Sequence, residues 1–318
     1  MQSQCIFSVK TPVGPPVEII RHTFSPSQSA KPAKRVSLVA GLHGDELEGL
    51  YICHRLMETL KNLEEQNAFK GEVHIYPAVN PQALETGTRL WPFFSVDINR
   101  TFGETNAPSL VTDTARTLLE DLKSHSDLVV DFHASNLHLM ELPQIRIIKD
   151  FEKKLVPLAK LCNVDLVWVH PHAEIFESTL GYNLNRAKVP TLVIESGICL
   201  RIHKNYCDQI ILGILNLLRQ TGVIDSGEPL AEVTPPRLVQ PDYVAMIQAQ
   251  NAGLFVKQAE VGQMLKEGEK IGDMIGPDHM WEEIRSPCSG LLFTLREHPL
   301  TGKGAPLARI ATEEPFKP

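Results

Sequence analysis

His43 and Glu46 stand at i and i+3 in the run His43-Gly44-Asp45-Glu46, and His133 closes the run Asp131-Phe132-His133. Zinc in hydrolytic centres takes imidazole nitrogens and carboxylate oxygens, and three protein donors leave its fourth tetrahedral position to water. The ion acidifies that water toward neutral pH. At a strand-to-helix junction the i, i+3 pair can converge on one point. His133 adds a third donor if its own strand ends at the same sheet edge. These residues predict one zinc ion per chain, held by His43, Glu46 and His133.

The positions of the surrounding elements give that pattern its weight, because histidine and glutamate at this spacing are common on exposed helix faces. The first run follows the apolar stretch Arg35 to Ala40 and opens an amphipathic segment reaching about Gln66. The second caps Leu128 to Phe132, which reads as a buried strand. A third such strand, Pro190 to Ile194, ends in Glu195-Ser196-Gly197 and brings an acid to the edge where the other two bring ligands. A general base for the activated water is what such a centre still requires. After the strand Glu72 to Tyr76 comes a segment too rich in turn residues to be helical. It carries Asn80-Pro81, Thr88-Arg89 and Asp97-Ile98-Asn99-Arg100-Thr101-Phe102, polar groups suited to an anionic substrate.

Six ordered motifs, H-G-D-E, N-P, T-R, D-I-N-R-x-F, D-F-H and I-E-S-G, span about residues 35 to 200. In that order they resemble the succinylglutamate desuccinylase/aspartoacylase branch of the zinc carboxypeptidase-like hydrolases. The resemblance implies a zinc amidohydrolase that removes an acyl group from the nitrogen of a small amino acid. Carried over by position, it makes His43, Glu46 and His133 the zinc ligands and Glu195 the base that deprotonates water and then protonates the leaving amine. It assigns Arg89 to polarising the scissile carbonyl, and Asn99 and Arg100 to gripping a substrate carboxylate. Arg186, shortly before the Glu195 strand, falls where such enzymes keep a substrate-side arginine. The chain departs from the family pattern by extra residues between Arg89 and Asn99, within Leu90 to Phe94. The chemistry also stands alone: amide hydrolysis builds negative charge on the carbonyl oxygen, which a metal and a fixed guanidinium stabilise. A planar guanidinium also matches a carboxylate better than an ammonium does.

The 318 residues suffice for one large or two ordinary domains, and 43% hydrophobic with 22% charged residues is a globular composition. A net charge of -7 with no basic run argues against nucleic acid. No apolar run approaches a membrane span and the N-terminus has no export signal, so a cytoplasmic location is expected. The cysteines Cys5, Cys53, Cys162, Cys199, Cys207 and Cys288 are scattered without C-x-x-C spacing and read as reduced. Cys199, soon after Glu195, could lie near the site.

Apolar runs alternate with helical periods through about residue 220, which predicts an α/β fold: a mixed, mostly parallel sheet sandwiched by helices, as in zinc carboxypeptidases. Between Thr221 and Pro241 the pattern stops among prolines and glycines, dividing a catalytic domain, 1–235, from a β-rich domain, 236–318. The latter hints at a repeat, Ala252-Gly253-Leu254 with Gly268 and Ile271 echoed by Ser289-Gly290-Leu291 with Gly304 and Leu307. Such a duplicated unit resembles the biotinyl/lipoyl barrel-sandwich, but the tip around Pro277 to Met280 has no lysine to carry a prosthetic group. It is expected to shield the cleft or to join subunits into a homo-oligomer.

Several residues also have plain structural readings. Asp131 could orient a ligand or make an ordinary strand-end hydrogen bond. His138, His170 and His172 read as surface or structural histidines. Tyr182 and Asn183 could line the pocket or form a turn with Gly181, and Trp91, Phe93 and Phe94 could cover the cleft or anchor a loop. Two other functions compete with deacylation. One is a metallocarboxypeptidase-type peptide hydrolase on the same metal core; the other is a non-catalytic binding protein with a relict site. An intact ligand set together with Glu195 speaks against decay.

Overall fold

The computed structural model describes residues 1–26, 34–103, 108–225, 227, 232–277 and 280–316. The expected boundary between Thr221 and Pro241 lies partly outside them, as do Asp278 and His279 at the tip between the β repeats. The fold is α/β, a mixed sheet with a parallel centre and helices on both faces, continued by an all-β C-terminal part.

At one edge β1 (Gln2–Val9) and β2 (Val17–Phe24) form an antiparallel hairpin that the alternation of apolar runs does not announce. The centre comprises β3 (Arg35–Val39), β4 (Glu72–Tyr76), β5 (Leu128–Ala134), β6 (Leu139–Ile148), β7 (Leu166–His170) and β8 (Thr191–Gly197). β4, β3, β5 and β8 are parallel neighbours in that spatial order, so their carboxyl ends share one edge. Register fixes what meets there: Val39 lies opposite Asp131, and His133 opposite Glu195. β6 returns antiparallel against β8 and carries β7, which pairs with β9 (Arg237–Val239).

Both sheet faces are covered, so the parallel strands are apolar throughout rather than alternating. Val36, Leu38, Ala40, Leu128, Val130 and Phe132 point into one core cluster, and Val39 and Val129 into the other. The first face is covered by α1 (Leu47–Glu65), which buries Ile52, Cys53, Leu56 and Leu60 along one stripe, and by α6 (Lys204–Gln220). On the second face lies α3 (Leu110–His125), which starts at a capping box between Ser109 and Thr112. The turn-rich segment after β4 is more ordered than its composition suggests. Asn80 accepts a hydrogen bond from Ala83 N at 3.1 Å and starts α2 (Pro81–Thr86), and Ile98–Arg100 form a 3-10 turn capped by Asp97. Further on, α4 (Glu152–Ala159) precedes α5 (Leu180–Arg186), whose first turn is capped by Thr179; Gly181, Tyr182 and Asn183 are helical, not a turn.

The C-terminal part contains β10 (Val244–Gln248), β11 (Gly253–Lys257), β12 (Met264–Leu265), β13 (Lys270–Ile275), β14 (Trp281–Arg285), β15 (Gly290–Arg296), β16 (Leu300–Thr301) and β17 (Pro306–Ala311). The sequence repeat has a structural counterpart: each half is a long strand, a short strand and a long strand. The short strand of each half pairs with the long first strand of the other, β12 with β15 and β16 with β11. Gly268 and Gly304, equivalent in the repeat, both take φ of +80°. This part is not held at a distance, because β15 pairs with the start of β6, extending the large sheet. Phe293 packs with Leu142, Leu166, Trp168 and Val239 in a cluster drawn from both parts.

Candidate active site

Gly44 lets the chain leave β3 in the tight path that places His43 and Glu46 together. A Cβ there would stand 1.9 Å from the carbonyl carbon of Ala83. Glu46 occupies the N-cap of α1 yet makes no capping hydrogen bond, because its carboxylate is turned to the imidazoles. His43 Nδ1 lies 2.7 Å from Glu46 Oε1, and His133 Nδ1 lies 2.8 Å from Glu46 Oε2. On their far sides, His43 Nε2 meets Asp97 Oδ1 at 2.9 Å and His133 Nε2 meets Asp131 Oδ2 at 3.0 Å. An ionised carboxylate only accepts, so each ring donates Nε2–H outward and turns its Nδ1 lone pair inward. Lone pairs this close to the Glu46 oxygens require positive charge between them, whether protons or a metal cation.

The electrostatics agree. Burial opposes charge on His133, but Asp131 and Glu46 outweigh it and hold the imidazole well above its ordinary pKa. Glu46 is buried too, yet the facing imidazoles keep its carboxyl below the usual range. One ligand atom from each of His43, Glu46 and His133 lies within 4.8 Å of the others, and all three residues are buried. Two imidazoles, a carboxylate and outer carboxylates on both rings are the donor set and support that zinc takes. The residues present fit the ion.

Glu195 lies near the carboxyl end of β8, in register with His133, with its side chain 13% exposed. Burial pushes its carboxyl up to about 7, against the pull of Arg146, whose Nη1 lies 3.2 Å from Oε1. Arg146 also binds the buried Glu141 at 2.6 Å, and Glu141 takes a second guanidinium, Arg309, at 2.7 Å. Sequence reasoning missed this cluster. Its one local signal is a charged residue inside the apolar run Gln144-Ile145-Arg146-Ile147-Ile148. Arg309 comes from β17, so the C-terminal part reaches the cavity. Also missed was Glu48, fully buried, which binds Ser196 Oγ and accepts from His203 N at 2.9 Å. It ties the start of α1 to the end of β8 and the entry of α6.

Arg89 bridges Glu46 Oε1 at 3.0 Å and Asp97 Oδ2 at 3.1 Å, which places it at the candidate metal centre. The extra residues after it loop out as a small hairpin, Trp91 pairing with Val96, so Arg89 still reaches Asp97. Trp91 is the anchor, fully buried with Nε1 donating to Gln82 at 2.8 Å, while Phe93 and Phe94 are exposed. Asn99 is buried and its Oδ1 accepts from Leu180 N at 2.9 Å, which joins this segment to α5. Arg100 is exposed, lines the cavity, and has no carboxylate partner among the described residues.

Arg186 is not brought to the cavity. Gly181, Tyr182 and Asn185 occupy the inward face of α5, and Arg186 with Asn183 lies on another face, exposed and lining a separate surface depression. On so short a helix one residue of spacing turns a side chain by about 100°, which is enough to remove it from the site. His170 does line the cavity. His172 meets Asp150 and Glu177 at the surface, and His138 packs against His298. Every cysteine is free, and the Cys199 sulfur lies within 4.8 Å of carboxylate oxygens of Asp45 and Glu46 without lining the cavity.

The candidate centre opens into a cavity of about 450 Å³, the size that binds a small molecule. Parallel strands that deliver this ligand set and a buried acid to one edge place the protein among α/β hydrolytic folds with a candidate metal centre. Residues 32–221 match the family model described as the succinylglutamate desuccinylase/aspartoacylase catalytic domain, and the chain belongs to that family. It is 24% identical over 283 residues to N-alpha-acetyl-L-2,4-diaminobutyric acid deacetylase of Halomonas elongata, covering 86% of this chain and 81% of the relative. Among solved structures, it resembles the product-bound ectoine utilization protein EutE (DoeB) of Ruegeria pomeroyi with a TM-score of 0.78 at 18% identity. That likeness covers 94% of this chain and 90% of the other. A succinylglutamate desuccinylase/aspartoacylase from Rhodobacter sphaeroides gives a TM-score of 0.77 at 23% identity, covering 95% and 90%. Among the described residues no helix is long and apolar enough to cross a membrane.

Proposed function

We propose that this protein is a zinc-dependent amidohydrolase that removes the acyl group from a small N-acyl amino acid, acting on an anionic substrate in the cytoplasm. The observation that carries the reading is the convergence of His43, Glu46 and His133, within 4.8 Å, beside an acid whose burial raises it to about 7. When bound, zinc would lower the pKa of water and polarise the scissile carbonyl. Glu195 takes a proton from water in its ionised form and returns it to the leaving nitrogen, and a pKa near neutrality suits it to both transfers. Arg146 holds Glu195 from one side, which fixes the direction of its carboxylate. Arg89 supports Glu46 and Asp97 and stands ready to stabilise charge on the carbonyl oxygen. Arg100, which lines the cavity, supplies the cation for the substrate carboxylate, and Asn99 fixes its segment to α5.

The same reading divides the chain near residue 235. Residues 1–235 would carry ligands, base and carboxylate anchor. Residues 236–318 would cover the cleft, contribute Arg309 and offer a surface for subunit association. The test is a turnover screen of zinc-loaded protein against N-acetyl and N-succinyl amino acids beside C-terminal dipeptides, with elemental analysis of wild type and His133→Ala. Hydrolysis of acyl amino acids, and loss of about one zinc per chain in the variant, is the expected result. Exclusive hydrolysis of dipeptides would replace the reading with a carboxypeptidase, and stoichiometric zinc in His133→Ala would refute the ligand set.

A further inference from the structure

The cavity extends well past the candidate metal centre. On β8 the alternation of a strand points Thr191, Val193 and Glu195 to one face, and all three line the cavity, so it follows the sheet inward from Glu195. Its walls there are Ile148 on β6, Phe151 and Leu155 at α4, Phe176 before α5, Tyr182 on α5, and Val193. Phe151 and Tyr182 meet edge to face at 5.8 Å, which builds an aromatic side to this recess.

Several polar groups along it are already occupied. Asn185 donates to Gly181 O at 2.8 Å and Thr191 O at 3.0 Å, and accepts from Thr191 N at 2.9 Å. The Thr191 hydroxyl donates to Val189 O at 3.1 Å. Glu141 has one oxygen on Arg309 and the other on Arg146 and Gln144, which leaves it no capacity for a ligand amine. Arg146 is likewise neutralised by Glu141 and Glu195. Three buried nitrogens of cavity-lining side chains have no hydrogen-bond partner among the described residues: His170 Nε2 and the Nε atoms of Arg146 and Arg309. Burial, reinforced by Arg146 and Arg309, keeps His170 uncharged, so it offers one hydrogen bond and no ion pair.

The recess also lies on the amino-acid side of the scissile bond. Asn99 binds the first turn of α5 through Leu180 N, so the segment carrying Arg100 and the helix carrying Tyr182 form one wall. A substrate whose carboxylate lies at Arg100 would direct the side chain on the same α-carbon along that wall. Resting on the deacylase reading above, we infer that the cavity selects acyl amino acids with an uncharged, predominantly apolar side chain of about leucine to phenylalanine size. An amine would meet Glu141 already held by two guanidiniums, and a second carboxylate would have to compete with Glu141 and Glu195 for Arg146 and Arg309, so neither gains a charge of its own in the recess; unpaired buried charge is strongly disfavoured.

The experiment compares kcat/KM of the zinc-loaded protein for the acyl derivatives of glycine, leucine, phenylalanine, aspartate and 2,4-diaminobutyrate, each with an acetyl and a succinyl group. Leucine and phenylalanine derivatives should exceed those of glycine by at least about tenfold, and exceed the two charged ones by more. In Phe151→Ala the leucine-to-glycine ratio should fall at least about fivefold. Calorimetry with the free amino acids as products should rank them in the same order, independently of turnover and of how well the variant folds. Preference for aspartate or diaminobutyrate derivatives, in either measurement, would overturn the recess assignment while leaving deacylation standing. Turnover of dipeptides alone would remove both.

Discussion

Glu195 is subject to two opposed influences, burial that raises its carboxyl to about 7 and the Arg146 guanidinium that pulls it back. Glutamine keeps its size and hydrogen bonding but cannot accept a proton. Glu195→Gln should therefore fold and hold zinc while turning over at least about a hundredfold more slowly, measured as kcat with metal content checked in parallel. Arg100 presents the contrasting case, an exposed guanidinium with no acid partner among the described residues. Charged hydrogen bonds contribute about 1.5–3 kcal/mol, so Arg100→Ala should raise KM for acyl amino acids by roughly ten- to a hundredfold. Their neutral amides should change little. Equal losses for both would make Arg100 structural only.

At the scale of elements, the site depends on how β3 passes into α1. Gly44 is packed against the α2 backbone so closely that any side chain must displace one of them. Gly44→Ala should cost about 1–3 kcal/mol of stability. It should also weaken zinc affinity, because His43 and Glu46 flank the displaced residue; urea unfolding and metal titration measure the two effects separately. Unchanged values for both would mean that the loop relaxes freely. Glu48 acts in the same region by joining α1, β8 and α6 through Ser196 and His203. The helix that presents Glu46 and the strand that presents Glu195 are thereby held in one arrangement.

Across the whole molecule, the charge states of buried histidines away from the site couple folding to pH. His74 on β4 is 2% exposed, hydrogen-bonded to Thr23 at 3.0 Å, and lowered to about 4, first by burial and then by Arg21. In the unfolded chain it returns to about 6.5. Above that value it is neutral in both states and has no effect. As pH falls from about 6.5 toward 4 the unfolded state takes up the proton first, and stability drops by about 1.4 kcal/mol per unit. The urea midpoint should thus fall between about pH 7 and about pH 5, and His74→Gln should reduce that fall. An identical fall in the variant would assign it to other groups. The C-terminal part belongs to the same scale, since β15 extends the sheet through β6 and Arg309 reaches the cavity.

Elements whose signals are local are legible in the amino-acid order. Apolar runs marked β3, β5 and β8, and the residues that close them, His43, Glu46, His133 and Glu195, were readable because a parallel sheet brings strand ends to one edge. The glycine pattern likewise announced the duplicated β unit. Tertiary structure alone decided what depends on pairing across long separations. Arg309 meets Glu141 across 168 positions, and Arg146 meets Glu195 because β6 returns antiparallel, a register that periodicity does not encode. Arg186 lies outside the cavity for the same physical reason: its side chain follows the rotation of α5, and that rotation is set by Gly181 packing on Val193 and Asn99 holding Leu180, contacts that no spacing rule contains.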